Sequence, residues 1–385
     1  MNIILFDGPA RSHLLPFTFT RPVSEIRVGI ITIREKWEKR IAGVYSWKTE
    51  EYLTKKYAIT SGAENLLINA AVCPNEELVA AINKLQLNEK LMAGDIVIAA
   101  KTDGTDENAA LQQISYSGTF NHIDRPWKIF SLNGAELEAD FDLITNGRSS
   151  QPISDTNTII GDRIFLEKGA KAECAVFNTT NGPIYLGKES EVMEGSVVRG
   201  GFALGEHSQL KISAKIYGPT TIGPHSKVGG EVNNSVIFGY SNKGHDGFLG
   251  NSVLGEWCNI GADTNNSNLK NNYDEVRLWS YVRGGFERTG LQFCGLMMAD
   301  HSKCGINTMF NTATVVGVSA NIYGGGFPRN FIPSFSWGGA AGMVEYKFEK
   351  AMATAARVME RRGIELDDTE RSILEHVYNL SATSR

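Results

Sequence analysis

Eight aliphatic residues recur at a strict spacing of six: Leu186, Val192, Val198, Leu204, Leu210, Ile216, Ile222 and Val228. With 42% of the chain hydrophobic, eight apolar hits in eight arise by chance at roughly 0.001 before the choice of frame. A second period lies on the first. Leu186, Leu204 and Ile222 are each followed by Gly, eighteen residues apart, and Ile160-Gly161, Leu254-Gly255 and Ile260-Gly261 repeat the pair on either side. Six residues make one short strand and one turn, and three such units make a triangular coil of eighteen. The aliphatic side chain of each unit then points inward and stacks on its copies above and below, while the following Gly permits the corner. A helix needs a period near 3.6 and an isolated strand needs alternation; neither gives six and eighteen together. The spacing therefore predicts a parallel β-helix.

The rest of the chain is organised around that segment. Length, at 385 residues, argues for more than one core. In residues 1–150, short apolar runs (Ile3–Phe6, Leu66–Ile68, Ile96–Ala99) alternate with amphipathic segments near Thr32–Ile41 and Asn75–Leu85. This predicts an α/β, Rossmann-like domain with a largely parallel sheet. The polar stretch 144–158 marks the boundary, giving domains 1–150, 151–335 and 336–385. In the last, Val344, Phe348, Ala351, Ala355, Val358 and Met359 follow helical spacing, and Asp367 with Glu370 caps a second helix.

Composition narrows the function classes. The net charge of −5 argues against nucleic acid as the main partner. No run of apolar residues is long enough for a transmembrane helix, and the start carries no basic segment of the kind that opens a signal peptide. Five cysteines (Cys73, Cys174, Cys258, Cys294, Cys304), odd in number and without a CxxC pair, read as reduced thiols, and the expected location is cytoplasmic. His207 and His225 stand eighteen apart and so stack on successive coils. Read as turn residues facing water rather than as ligands, they give no metal site.

The six-residue rhythm breaks between Gly239 and Leu249, a natural place to seek chemistry on a rigid solenoid. The segment 241–250 reads SNKGHDGFLG, 254–264 reads LGEWCNIGADT, and 271–274 reads NNYD. In this order they resemble the acetyltransferase half of the bifunctional N-acetylglucosamine-1-phosphate uridyltransferase/glucosamine-1-phosphate acetyltransferase family. That resemblance implies a left-handed β-helix of hexapeptide repeats, a homotrimer, and His245 as the general base. It implies substrate contacts at Lys243, Glu231, Asn259, Asn272 and Tyr273, with Lys243 facing a phosphate, and coenzyme A contacts at Ser302, Lys303 and Arg329. Phe248 stands where the family has a tyrosine, and Asn233 where it has a phosphate-binding lysine.

The N-terminal stretch FDGPARSHLLPFTFTRPV, residues 6–23, resembles the opening of sugar-1-phosphate nucleotidyltransferases. There the turn and its arginine cradle nucleotide phosphates, which implies nucleotide contacts at Arg11 and Arg21. Val23 stands in place of the family's lysine, with Arg27 the nearest basic residue. Asn69 stands in place of its metal-binding carboxylate, and Gly94-Asp95 precedes a strand rather than ending one.

The expected function is acetyl transfer from acetyl-CoA to an amino-sugar 1-phosphate, followed by Mg2+-dependent nucleotidyl transfer from UTP to give a UDP-N-acetylhexosamine. Two alternatives stay open: an acetyltransferase whose N-terminal domain only binds nucleotide sugar, and a nucleotidyltransferase whose β-helix is a trimer scaffold.

Overall fold

The computed structural model describes residues 1–384. The chain forms two compact units. One comprises Met1–Leu14, Thr20–Ile26 and Ile31–Arg125; the other comprises Leu15–Phe19, Arg27–Ile30 and Pro126–Arg385.

The first unit holds a six-stranded sheet of β1 (Asn2–Phe6), β2 (Val44–Lys48), β3 (Asn65–Asn69), β4 (Glu89–Ala93), β5 (Ile96–Thr102) and β6 (Gln112–Ser115), in the order β2-β1-β3-β5-β4-β6. β1 pairs in parallel with β2 and β3, so this half is Rossmann-like. The sheet is nevertheless mixed rather than largely parallel, because β5 runs antiparallel to both β3 and β4. Gly94 and Asp95 are the whole connection between β4 and β5, with Gly94 at φ +56°. A two-residue link closes only a hairpin; a parallel crossover needs a dozen residues or more. The two expected helices are present as Ile33–Glu38, with a capping box between Thr32 and Glu35, and Glu76–Ile82, capped by Asn75.

In the second unit the predicted coil is formed. All eight aliphatics of the repeat are buried and belong to one core cluster. Leu186, Leu204 and Ile222 stand in register on a nine-stranded face. Val192, Leu210 and Val228 share a second face, and Val198 and Ile216 a third. Each such side chain contributes about 1.5–3 kcal/mol by leaving water. At one corner a buried serine ladder joins the coils. Ser208 Oγ donates to the Gly223 carbonyl and accepts from Ser226 N, Ser226 Oγ accepts from Ser241 N, and Ser241 Oγ accepts from Cys258 N. These bonds satisfy backbone groups that a tight corner would otherwise leave unpaired.

Three sequence expectations change. The domain boundary moves from residue 150 to Arg125/Pro126, because the helices Pro126–Ser131 and Asn133–Thr145 belong to the coil unit. The Asn133 side chain there donates to the Pro219 carbonyl and accepts from Gly29 N. The coil does not break at 239–249, where Ile237, Lys243 and Leu249 hold inward positions six apart; it shortens just before, over Val228, Val232 and Ile237, and no loop is inserted. Val228 stands in register with Lys243, fifteen residues on, and Val232 with Leu249, seventeen on. The long insertion comes later: Leu254 pairs with Met298, and between them lies the hairpin of Arg277–Ser280 and Gly285–Arg288. Counting aliphatics cannot separate a coil that loses residues at a corner from one that gains a loop. Lastly, Val344 lies in a strand, Gly342–Glu345, not in a helix. The helices that follow are Phe348–Glu360, burying Ala351, Ala355 and Met359, and Asp368–Leu380, where Asp367 accepts from Glu370 N.

Because Leu204 is fully buried between in-register neighbours, Leu204→Ala should cost about 2–5 kcal/mol. Urea unfolding of the two proteins checks this; a loss under about 0.5 kcal/mol would mean the coil tolerates a void at its centre.

Candidate functional site

Two cavities carry the candidate chemistry, one in each unit. The first, of about 710 Å³, opens beyond the carboxyl ends of β1, β2 and β3 and is lined by Asp7, Gly8, Arg11, Lys48, Thr49 and Asn69 among others. This is where a parallel α/β sheet ordinarily takes its ligand, because the loops after the strands gather there. Arg11 is buried, donates to Tyr52 Oη at 2.8 Å and lies 3.4 Å from Asp7. Asp7 accepts from Val23 N at 2.7 Å and from Thr49 Oγ1 at 2.5 Å. Burial nonetheless raises its pKa from 3.8 to about 6; the Thr49 and Val23 hydrogen bonds and the Arg11 charge only partly oppose that.

Other parts of the expected nucleotide motif are engaged elsewhere. Arg21 is buried but does not line this cavity. Phe17 packs against Phe238 within the coil unit, ring centroids 5.5 Å apart. Arg27 donates to the carbonyls of Phe238 and Ile30. Asn69 spends both polar atoms on backbone, donating to the Val97 carbonyl and accepting from Ala71 N. Asp95, at the hairpin tip, is exposed and faces the cavity. Among the described residues no group of three or more His, Cys, Asp or Glu is arranged to hold a metal ion.

The second cavity, about 650 Å³, lies over the second face of the coil. His245, Asn259 and Lys303 all line it. Asn259 and Lys303 occupy the outward positions of successive coils, in line with Lys227 and Asn242. Lys303 Nζ donates to the His301 carbonyl at 2.8 Å, and burial lowers its pKa to about 8. Sequence reasoning missed four further cations on the same wall: Lys211, Lys227, Arg361 and Arg362. Arg362 donates to Asn242 Oδ1 at 3.1 Å. No Asp or Glu lines the cavity. Burial and then the charges of Arg362, Lys211 and Arg361 lower the pKa of Lys227; burial and Arg361 lower that of Arg362. Cations that depress one another with no carboxylate between them make a site for a polyanion. Reading the outward residue beside each inward aliphatic, rather than the aliphatics alone, would have aligned Lys227, Asn242, Asn259 and Lys303. Arg361 and Arg362 carry no such signal, since only the packing of the last helices brings them to this face.

The remaining predicted contacts do not converge here. Lys243 points inward, in register with Val228, and is 1% exposed; it faces no phosphate. Ser302 is buried, its Oγ donating to the Gly317 carbonyl and accepting from Ala320 N, so it repeats the serine-ladder pattern rather than facing coenzyme A. Glu231 accepts from Tyr217 Oη in a separate groove with Arg199 and Lys215; burial first, then that hydrogen bond, pushes Tyr217 up to about 12. Asn272 and Tyr273 sit on an exposed loop, Tyr273 at 66% exposure, and Arg329 is exposed on another. His207 and His225 join Tyr240, Trp257 and His301 in a column of stacked rings with centroids 4.4–6.2 Å apart. All five residues hold positive φ at a coil corner.

The raised pKa of Asp7 sets a sign for stability. The folded state holds the proton more tightly, so stability from this group is complete below pH 3.8 and is lost as pH rises through about 6. The difference corresponds to about 3 kcal/mol. The unfolding free energy of Asp7→Asn minus that of the native protein should therefore grow by up to about 3 kcal/mol from pH 3.5 to pH 7. A pH-independent difference would place the Asp7 pKa at its ordinary value.

Residues 3–149 match the family model described as sugar nucleotidyl transferase. The chain is 26% identical over 262 residues to a bifunctional sugar-1-phosphate nucleotidylyltransferase/acetyltransferase of Sulfurisphaera tokodaii, covering 67% of this chain and 58% of that protein. It is 24% identical over 292 residues to the bifunctional protein GlmU of Methanococcus vannielii, covering 69% of this chain and 62% of that one. The alignments thus span about three fifths of the relatives' length. A UDP-N-acetylglucosamine acyltransferase structure from Campylobacter jejuni matches 58% of this chain at 10% identity and a TM-score of 0.30, too loose a superposition to carry function. No helix among the described residues is long and apolar enough to cross a membrane. Residues 3–149 thus match the sugar nucleotidyl transferase model, a parallel β-helix follows, and the chain is similar over about two thirds of its length to bifunctional sugar-1-phosphate nucleotidylyltransferase/acetyltransferases.

Proposed function

We propose that the coil unit transfers an acetyl group from acetyl-CoA to the amine of an amino-sugar 1-phosphate, of the glucosamine 1-phosphate type. The observation that carries this is the second cavity. His245 stands in it beside Asn259 and five cations, with no carboxylate in the lining. Both substrates are anionic through phosphate, and both need a neutral nucleophile brought to a thioester. Imidazole is the side chain whose ordinary titration range brackets neutral pH. His245 takes the proton as the amine nitrogen bonds to the thioester carbonyl carbon; the carbon–sulfur bond then breaks and the proton passes to the leaving thiolate. Lys303, Lys227, Arg361 and Arg362 hold phosphates by charge and hydrogen bonds. Asn272, Tyr273 and Arg329, exposed on their loops, would complete a cavity on another copy in a homotrimer. Acetyl-CoA as donor fits a cytoplasmic enzyme.

The first unit, in this reading, transfers a nucleotidyl group from UTP to the acetylated sugar phosphate, with Arg11 at the nucleotide phosphates. A specific observation favours the alternative of a binding-only domain: Asn69 is committed to backbone and no metal-holding cluster exists among the described residues. Asp95 offers a carboxylate edge to the cavity from the hairpin tip. Mg2+ takes one or two carboxylates together with water and substrate phosphates; the residues here do not form a site for it by themselves, and no step is routed through it.

With glucosamine 1-phosphate and acetyl-CoA, thiol release should fall about 10²–10⁴-fold in His245→Ala. Arg362→Ala should instead raise the KM for acetyl-CoA or for the sugar phosphate with kcat nearly kept. Release that survives the His245 change removes the base assignment. In a separate assay with N-acetylglucosamine 1-phosphate, UTP and Mg2+, pyrophosphate should appear and should drop in Arg11→Ala. No pyrophosphate with any nucleoside triphosphate makes the first unit a binding domain.

A further inference from the structure

The second face of the coil stacks aliphatic or small side chains inward: Val192, Leu210 and Val228 before the cavity, Ile260, Cys304 and Ile322 beyond it. Lys243 takes the same inward position between them, in register with Val228, and is 1% exposed. Hydrocarbon alone would serve the fold better there, since an ammonium loses several kcal/mol of hydration on burial. Burial accordingly lowers its pKa to about 8, against the pull of Asp246 and Asp263. What the ammonium adds is one contact. Lys243 Nζ donates to the main-chain carbonyl of His245 at 2.5 Å.

That carbonyl belongs to the four-residue corner 244–247, which links strand Asn242–Lys243 to strand Phe248–Gly250. The corner is tight at its far end, where a Cβ on Gly247 would meet the Thr264 carbonyl at 2.2 Å. At its near end nothing lies within 4 Å of a Cβ built on Gly244. The corner's carbonyls lie close against the preceding coil, where a Cβ on Gly229 would meet Gly244 O at 2.7 Å and one on Gly230 would meet His245 O at 2.8 Å, and the Lys243 ammonium holds the His245 carbonyl from inside the prism.

We infer that Lys243 is a positioning residue for His245, its interior ammonium fixing the His245 peptide and so the place of the imidazole at the edge of the cavity. The inference rests on His245 acting as the base, and it assigns Lys243 a role opposite to a phosphate contact. The lysine touches neither substrate; it works through the backbone of the residue that does. Its stem fills the aliphatic stack while its head reaches the loop, which a shorter or branched side chain cannot do.

The test is Lys243→Met, with Lys243→Leu as a second hydrocarbon that matches the residues above and below. Each is expected to fold with a melting temperature equal to or above the native one. The kcat of acetyl transfer should fall about 10–100-fold, and the KM for acetyl-CoA should stay within about twofold. Amide hydrogen exchange at 244–247 should quicken while residues 186–228 stay protected. In a His245→Ala background the Lys243 change should reduce kcat no further, as expected of residues acting as a unit. Native kcat together with native exchange in both hydrocarbon variants overturns the inference. If His245→Ala alone leaves the rate untouched, the base assignment fails, and unchanged exchange at 244–247 in Lys243→Met would then sink the positioning role separately.

Discussion

The register of inward aliphatics from coil to coil is the constraint on which the β-helix unit depends. Each coil can close only if one side chain per face points into the prism and meets its copy above and below. That leaves the outward neighbour of every aliphatic in a fixed column, spaced by the distance between adjacent strands, about 4.8 Å. A solenoid of this kind is rigid without a large globular core, and it presents a ruled surface on which a few substitutions make a site.

The cavity over the second face is such a site. Lys227, Asn242, Asn259 and Lys303 follow one another up a single column. The helices beyond residue 347 bring Arg361 and Arg362 to the same wall. The coil shortens at the corner Gly229–Gly230, and His245 stands on the next corner between the same two faces, residues 244–247, which has the ordinary four-residue length. Scaffold and chemistry are thus coupled: the corner that follows the inward Lys243 brings His245 to the cavity beside a column of cations. The interior lysine two residues before it extends that coupling into the prism itself.

The first unit follows a different logic. Its parallel strands β2, β1 and β3 deliver Asp7, Lys48, Thr49 and Asn69 to one edge, as α/β sheets do. A carboxylate as buried as Asp7 costs stability at neutral pH, and the hydrogen bonds from Thr49 and Val23 offset that cost only in part. Groups held away from their ordinary protonation in a cleft are common where ligands bind, and the cavity's mixture of Arg11, Lys48 and several carboxylates suits a polar, phosphorylated ligand.

Periodicity alone determined the β-helix and the inward aliphatics from Leu186 to Val228, because burial repeats at the period of the backbone. Short-range chemistry likewise fixed the helices begun by Thr32 and Asn75. The family resemblance named His245, Asn259 and Lys303, which share one cavity. Sequence could not say which way Lys243 and Ser302 point, since a coil two or three residues shorter turns a supposed surface lysine into a core one, and a serine at a corner satisfies backbone before it meets any ligand. Nor could it join Arg361 and Arg362 to a face more than a hundred residues earlier in the chain, or show that Gly94-Asp95 closes a hairpin. Those outcomes are set by register and by tertiary packing, which act across distances that no local pattern of residues records.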